Sequence, residues 1–272
     1  MELTVLLPIA ALLAAIGAFA GVLAGLLGVG GGIVLVPAFL YAFRATGFDG
    51  PEVMQLCVAT SLATVVVTSV RSVLAHAKKD AVDWAILRAW APGLAVGAAV
   101  GVLVAANLGS DALQLIFGAL AVIVGLYMAL GQSGWRLGAA LPMGLFGRGI
   151  ASIMGFLSVL MGIGGGSFGV PVMTLYGVAI HNAVATAAGF GVAIALPAVI
   201  GFLFVSVAGP LPPFTIGAIN LVGFIIIVPM TILTAPVGAN LAHRLSAPWL
   251  KRVFGVFLLI VAGNMAWEVL AP

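Results

Sequence analysis

Between Ala112 and Leu130 the chain runs without one charged side chain, and it does so again from Val253 to Trp267. Stretches of that length and polarity suit the hydrocarbon of a bilayer, not a water-facing globule. Composition makes the point general: 64% of residues are hydrophobic and 6% charged, where a soluble domain carries about a quarter charged residues. With lipid as solvent, backbone polar groups must pair internally, which leaves helices or a closed barrel. Barrel strands would alternate polar and apolar residues, and no such alternation is visible. The fold class is therefore all-α and integral to the membrane.

Met1 to Leu27 is expected to be a transmembrane helix and not a signal peptide, because Glu2 replaces the usual basic start and no cleavage site follows. The net charge of +3 lies in segments between apolar spans, so it reports orientation and does not point to nucleic acid. A single cysteine, Cys57, excludes an intrachain disulfide and a multi-cysteine metal site, and no cofactor is implied.

An internal repeat organises the chain. Gly28 to Pro37 reads GVGGGIVLVP and Gly162 to Pro171 reads GIGGGSFGVP, an offset of 134. Val58-Ala59-Thr60 recurs as Val184-Ala185-Thr186, an offset of 126, so the intervening loop is shorter by eight. Pro92, Gly101, Phe117 and Gly118 match Pro229, Gly238, Phe254 and Gly255, all at an offset of 137. One transmembrane domain spanning 1–272, with repeats 1–133 and 134–272, is the expected organisation.

Each repeat divides into about five apolar segments, roughly 3–27, 33–44, 53–76, 84–106 and 111–131, then 137–161, 167–178, 180–206, 214–242 and 249–270. That makes eight to ten transmembrane helices, because the second segment of each repeat is too short to cross a core of about 30 Å. An odd number of segments per repeat turns the second copy upside down. Lys and Arg test this, since they concentrate in cytoplasmic loops. Arg71, His76, Lys78, Lys79 and Arg88 form one basic region, and His243, Arg244, Lys251 and Arg252 another, with an even number of segments between them. Their repeat counterparts are uncharged apart from Asp111, and the acidic loop with Asp49 and Glu52 falls outside. The inverted arrangement passes.

The candidate site follows from the glycine turns. Gly30, Gly31 and Gly32, with Gly164, Gly165 and Gly166, bare the backbone N–H groups and lead into short helices. The first N–H groups of a helix lack internal partners and carry partial positive charge, which suits an anion. Paired broken helices in inverted repeats are where transporter sites tend to lie. The competing reading is close packing through small residues, which suits Gly93, Gly97 and Gly101 better. No Lys-Ser or Lys-Thr follows the glycines, so they are not a nucleotide loop.

Hydroxyls come next. Thr60, Ser61, Thr64, Ser167 and Thr186 lie in apolar segments and could donate to an oxyanion or bond back to their own helix. Asn220 and Asn264 are read the same way. Among charges, Arg148 sits mid-membrane if its helix starts near Leu137, and at the interface if Pro142 and the flanking Gly147 and Gly149 delay that start. Arg71 and His181 are possible electrostatic or gating residues, with topology anchor and interfacial histidine as the alternatives.

The two GGG-to-proline blocks, each followed by a VAT segment, resemble the TauE/SafE family of membrane permeases, also called sulfite exporters, over essentially the whole chain. The resemblance implies transport of sulfite, organosulfonates or related sulfur oxyanions across a prokaryotic plasma membrane by a multi-pass protein. It marks Gly30, Gly31, Gly32, Pro37, Thr60 and Ser61, with Gly164, Gly165, Gly166, Pro171 and Thr186. One departure stands out: Thr60-Ser61 becomes Thr186-Ala187 in the second repeat. No GxSxG, HExxH or close Asp pair points to an enzyme. A passive anion channel and a non-transporting subunit of a membrane complex are the alternatives. The expected partners are the small anion and the lipid bilayer.

Overall fold

The computed structural model describes residues 3–270 apart from 28–29, 131–134, 139 and 243–245. Gly28, the junction of the two repeats, His243 and Arg244 therefore lie outside the described residues. The helices are α1 (Leu3–Leu27), α2 (Gly32–Ala45), α3 (Val53–Ala77), α4 (Trp84–Ala105), α5 (Ser110–Leu130), α6 (Gly144–Leu160), α7 (Gly166–Leu175), α8 (Ile180–Phe202), α9 (Leu221–Ala242) and α10 (Ala247–Leu270). Among the described residues six of them, α1, α3, α4, α5, α8 and α9, are long and apolar enough to cross a membrane. The chain is an all-α integral membrane protein.

The short second segments are present. Helix α2 has 14 residues and α7 has 10, or about 21 Å and about 15 Å of rise, less than a full crossing. Two other boundaries fall later than the hydropathy suggests. Helix α6 begins at Gly144, not near Leu137, because Pro142 precedes it, Met143 is extended and Gly144 takes a φ of 67°. The indole Nε1 of Trp90 donates to the Pro142 carbonyl at 3.1 Å and pins that segment. Helix α9 begins at Leu221, after a small hairpin in which β1 (Thr215–Ile216) pairs antiparallel with β2 (Ile219–Asn220).

Helices α3 and α8 form the centre. Their apolar windows are 83% and 67% buried, against 28–44% for the other four spans. The outer helices pack in pairs through small residues, whose missing side chains let backbones approach. In α1, Gly17 lies on Ile227 and Met230, Gly21 on Thr231, and Gly25 on Ala235 and Ala239 of α9, so the two helices run parallel. In α4, Gly93 lies on Arg148 and Ala151, Gly97 on Ser152, and Gly101 on Phe156 and Val159 of α6, again in parallel. Gly21 meets Thr231, while Gly155, 134 positions on from Gly21, meets Leu94, 137 positions before Thr231. Helices α5 and α10 are antiparallel, with Gly118 near Ala262 and Gly125 on Gly255.

The starts of α4 and α6 share one end of the bundle. The turn carrying Lys78 and Lys79 lies there, and so does the end of α7, where Leu137 N donates to Leu175 O at 2.8 Å. At the opposite end, the Glu52 carboxylate accepts from Ala208 N at 2.6 Å, and Ser110 N donates to Pro51 O at 2.9 Å.

Candidate functional site

The two glycine turns meet between α3 and α8. A Cβ on Gly32 would overlap the carbonyl oxygen of Gly162 and approach the Cα of Ile163 to 2.9 Å. A Cβ on Gly162 would stand 2.9 Å from the Cα of Val58. Ser61 of α3 bridges the turns, its hydroxyl donating to Gly162 O at 2.7 Å. Helix α2 starts at this junction and rises toward the Glu52 end; α7 starts close by and descends toward the basic end. Two helix N-termini thus converge near mid-depth, where their orphan N–H groups add positive potential.

Beside the junction lies Ser69 of α3, 1% exposed and with no hydrogen-bond partner for its hydroxyl. A Cβ on Gly30 would come within 3.2 Å of its Oγ, and one on Gly191 of α8 would collide with it. Gly191 in turn faces the N–H of Gly165. Ser69 therefore sits between the first turn and the helix that supports the second. Ser72 one turn on, Ser158 of α6 and Ser167 of α7 are also buried with unpartnered hydroxyls. Phe190 closes the far wall against Gly165, and its ring stacks on Trp90 with centroids 5.8 Å apart.

Of the expected site residues, Gly30, Gly31, Gly32, Gly164, Gly165, Gly166, Ser61 and Ser167 are buried at or next to the turns. Thr64 bonds back to Ser61 O at 2.6 Å within its own helix. Thr60 and Thr186 have another task. The Thr60 hydroxyl accepts from Asn220 N and the Thr186 hydroxyl from Asp83 N, each at 2.9 Å. Asn220 and Asp83 are 137 apart and cap the starts of α9 and α4, with side chains accepting from Gly223 N, and from Ala85 N and Ile86 N. Each threonine of the VAT segments thus clamps a helix cap belonging to the other half of the chain.

The charged candidates lie away from the turns. Arg148 is exposed in the second turn of α6, close to that helix's late start at Gly144. Arg71 is exposed on α3, lining a surface groove with Val67, Val70 and Ile232. His181 is exposed at the start of α8. The sequence reading passed over Ser69, Ser72, Asp83, Trp90 and Phe190. The available signal was the run Ser61, Thr64, Thr68, Ser69 and Ser72, which lines one face of a helix at intervals of three, four, one and three.

A family profile described as "Sulfite exporter TauE/SafE" matches residues 13–265. A probable membrane transporter protein of Haemophilus influenzae is 31% identical over 253 residues, covering 92% of this chain and 95% of that protein. Another of Methanocaldococcus jannaschii is 28% identical over 272 residues, covering 95% and 97%. A third, of Bacillus subtilis, is 25% identical over 276 residues, covering 94% and 97%. No solved structure matches the chain.

Proposed function

This chain is a membrane transporter of the TauE/SafE sulfite exporter family, and from that premise we propose that it moves small sulfur oxyanions such as sulfite or organosulfonates by alternating access. The observation that carries the reading is the approach of both half-helix N-termini to the idle hydroxyl of buried Ser69, which lies beside Gly30 on one side and, on the other, beside Gly191, the neighbour of the Gly165 N–H. Helix N-termini and hydroxyls supply N–H and O–H donors to an oxyanion without a fixed full charge. Such a site releases its ligand readily, which turnover requires.

The two halves act as inverted repeats of one transporter unit, rocking about the glycine turns. Three features support this. The parallel α1–α9 and α4–α6 pairs correspond under the repeat, residue for residue at Gly21–Thr231 and Gly155–Leu94. The Thr60–Asn220 and Thr186–Asp83 clamps correspond as well. Burial of the described turn residues supports an occluded site over an open pore. A negative-inside membrane potential would drive anion export without a nucleotide-hydrolysing domain.

The test is flux of sulfite, sulfate, thiosulfate and a small organosulfonate in liposomes containing the purified chain. Saturable, selective movement of a sulfur oxyanion, with counter-transport, is expected. Correctly inserted protein that moves none of the four would remove the sulfur-oxyanion reading. Non-saturable flux would make the protein a channel.

A further inference from the structure

A buried amide side chain on α5 lies outside the glycine turns and takes no part in the clamps. Gln114 of α5 is 0% exposed, and neither its amide nitrogen nor its oxygen has a hydrogen-bond partner. Nearby polar groups at the same end are used structurally at least in part: the Gln55 amide nitrogen donates to Leu108 O while its oxygen has no partner, and the Ser110 hydroxyl accepts from Met54 N at 3.1 Å. That last bond sets the register of α5 against α3. Both helices start at the same end and run in the same direction, so four residues on from the Ser110–Met54 bond Gln114 stands level with Val58. Val58 is the residue whose Cα faces Gly162. Gln114 is thus abreast of the second glycine turn, toward the end of the bundle opposite Lys78 and Lys79.

A primary amide buried without a partner is costly. Its retention is explained by a partner that comes and goes. We propose that Gln114 is a substrate-contacting residue on the route between the glycine turns and the Glu52 end, its amide N–H donating to the anion as it passes. This rests on the reading of the protein as an oxyanion transporter. A neutral donor suits the task, because a cation at that depth would hold the anion where it must leave.

Sulfite flux in liposomes is measured for the wild type, Gln114→Leu and Gln114→Glu between about pH 6 and about pH 9, taking the variant-to-wild-type ratio so that sulfite's own protonation cancels. Gln114→Leu is expected to raise KM about fivefold, the loss of one neutral hydrogen bond, without lowering thermal stability. For Gln114→Glu the ratio is expected to fall about tenfold as pH rises and the introduced carboxyl ionises in the path of an anion. Flux and KM of inserted variants within about twofold of wild type across the range would overturn the proposal. So would losses that are flat with pH and accompanied by equal thermal destabilisation of both variants, since those mark a packing role. Should Gln114→Glu fail to insert, Gln114→Leu decides alone, an unchanged KM overturning the assignment. Absence of wild-type sulfite flux removes the parent reading and this one together; normal wild-type flux with indifferent variants removes this one only.

Discussion

The two glycine turns carry the same letters for different physical reasons. In the first, Gly31 has φ 77° and ψ −10°, a left-handed conformation that an L side chain resists, and the Ala20 carbonyl lies 2.8 Å from its would-be Cβ. In the second, the matching Gly165 has φ −65° and ψ −15°, a backbone any residue adopts, yet Phe190 leaves no room for a Cβ. The supporting helices differ too. Helix α3 presents Ser61, Ser69 and Ser72, whereas the matching positions of α8 at the offset of 126 are Ala187, Ala195 and Ala198. The two supporting helices divide the chemistry: α3 brings serines where α8 brings alanines, and the second half's own idle hydroxyls, Ser158 and Ser167, lie on α6 and α7.

The strongest way to break that comparison is at the walls. Gly165→Val should destabilise the protein by about 3 kcal/mol, as overpacking against the Cβ and backbone of Phe190, which cannot swing aside, does. Thermal melting in detergent and the yield of inserted protein check it; a variant that melts like wild type would show the wall to be soft. A smaller effect, but a cleaner one for function, is expected at the hydroxyls. Ser69→Ala should cut sulfite flux about tenfold while leaving stability unchanged or slightly higher, because no hydrogen bond within the protein is lost. Ala195→Ser, its mirror substitution, should leave flux within about twofold of wild type, and equal effects at the two positions would erase the division of labour.

The clamps sharpen the comparison at the smallest scale. Thr60→Val strands the buried Asn220 N–H and should cost about 2 kcal/mol, while Thr186→Val strands the half-buried Asp83 N–H and should cost about 1 kcal/mol. The difference in melting temperature between the two variants measures how unequally the halves are tied. Identical shifts would mean that the asymmetry is confined to Ser69 and its neighbours.

Much of this was readable from residues alone, and what was not shares one cause. The glycine turns, the half-length helices and the packing glycines of α4 are local patterns, written within a few residues of where they act. The purpose of Thr60 is not local. Its partner Asn220 lies 160 positions away, so a hydroxyl in an apolar run was indistinguishable from a ligand contact or a back-bond. Ser69 was hidden for a related reason: the expected segment 53–76 contained it, but its neighbours at the site, Gly30 and Gly191, lie 39 and 122 positions away. The late start of α6 was, by contrast, local and legible, since Pro142 with the flanking Gly147 and Gly149 already offered it, and the helix does begin at Gly144.

The parallel pairing of α1 with α9 has a consequence for how the protein is made. Helix α1 ends at Leu27, and its principal neighbour α9 begins at Leu221. At translation rates of about 5–20 residues per second, nearly two hundred residues must be synthesised in between, a delay of roughly 10–40 s. Throughout that interval α1 presents Gly17, Gly21 and Gly25 to lipid, or to whatever insertion machinery shelters it. Helix α6, by contrast, emerges after α4 is already in place. Biogenesis is therefore lopsided in time, and a nascent chain arrested before α9 should be the species most readily cleared by membrane quality control.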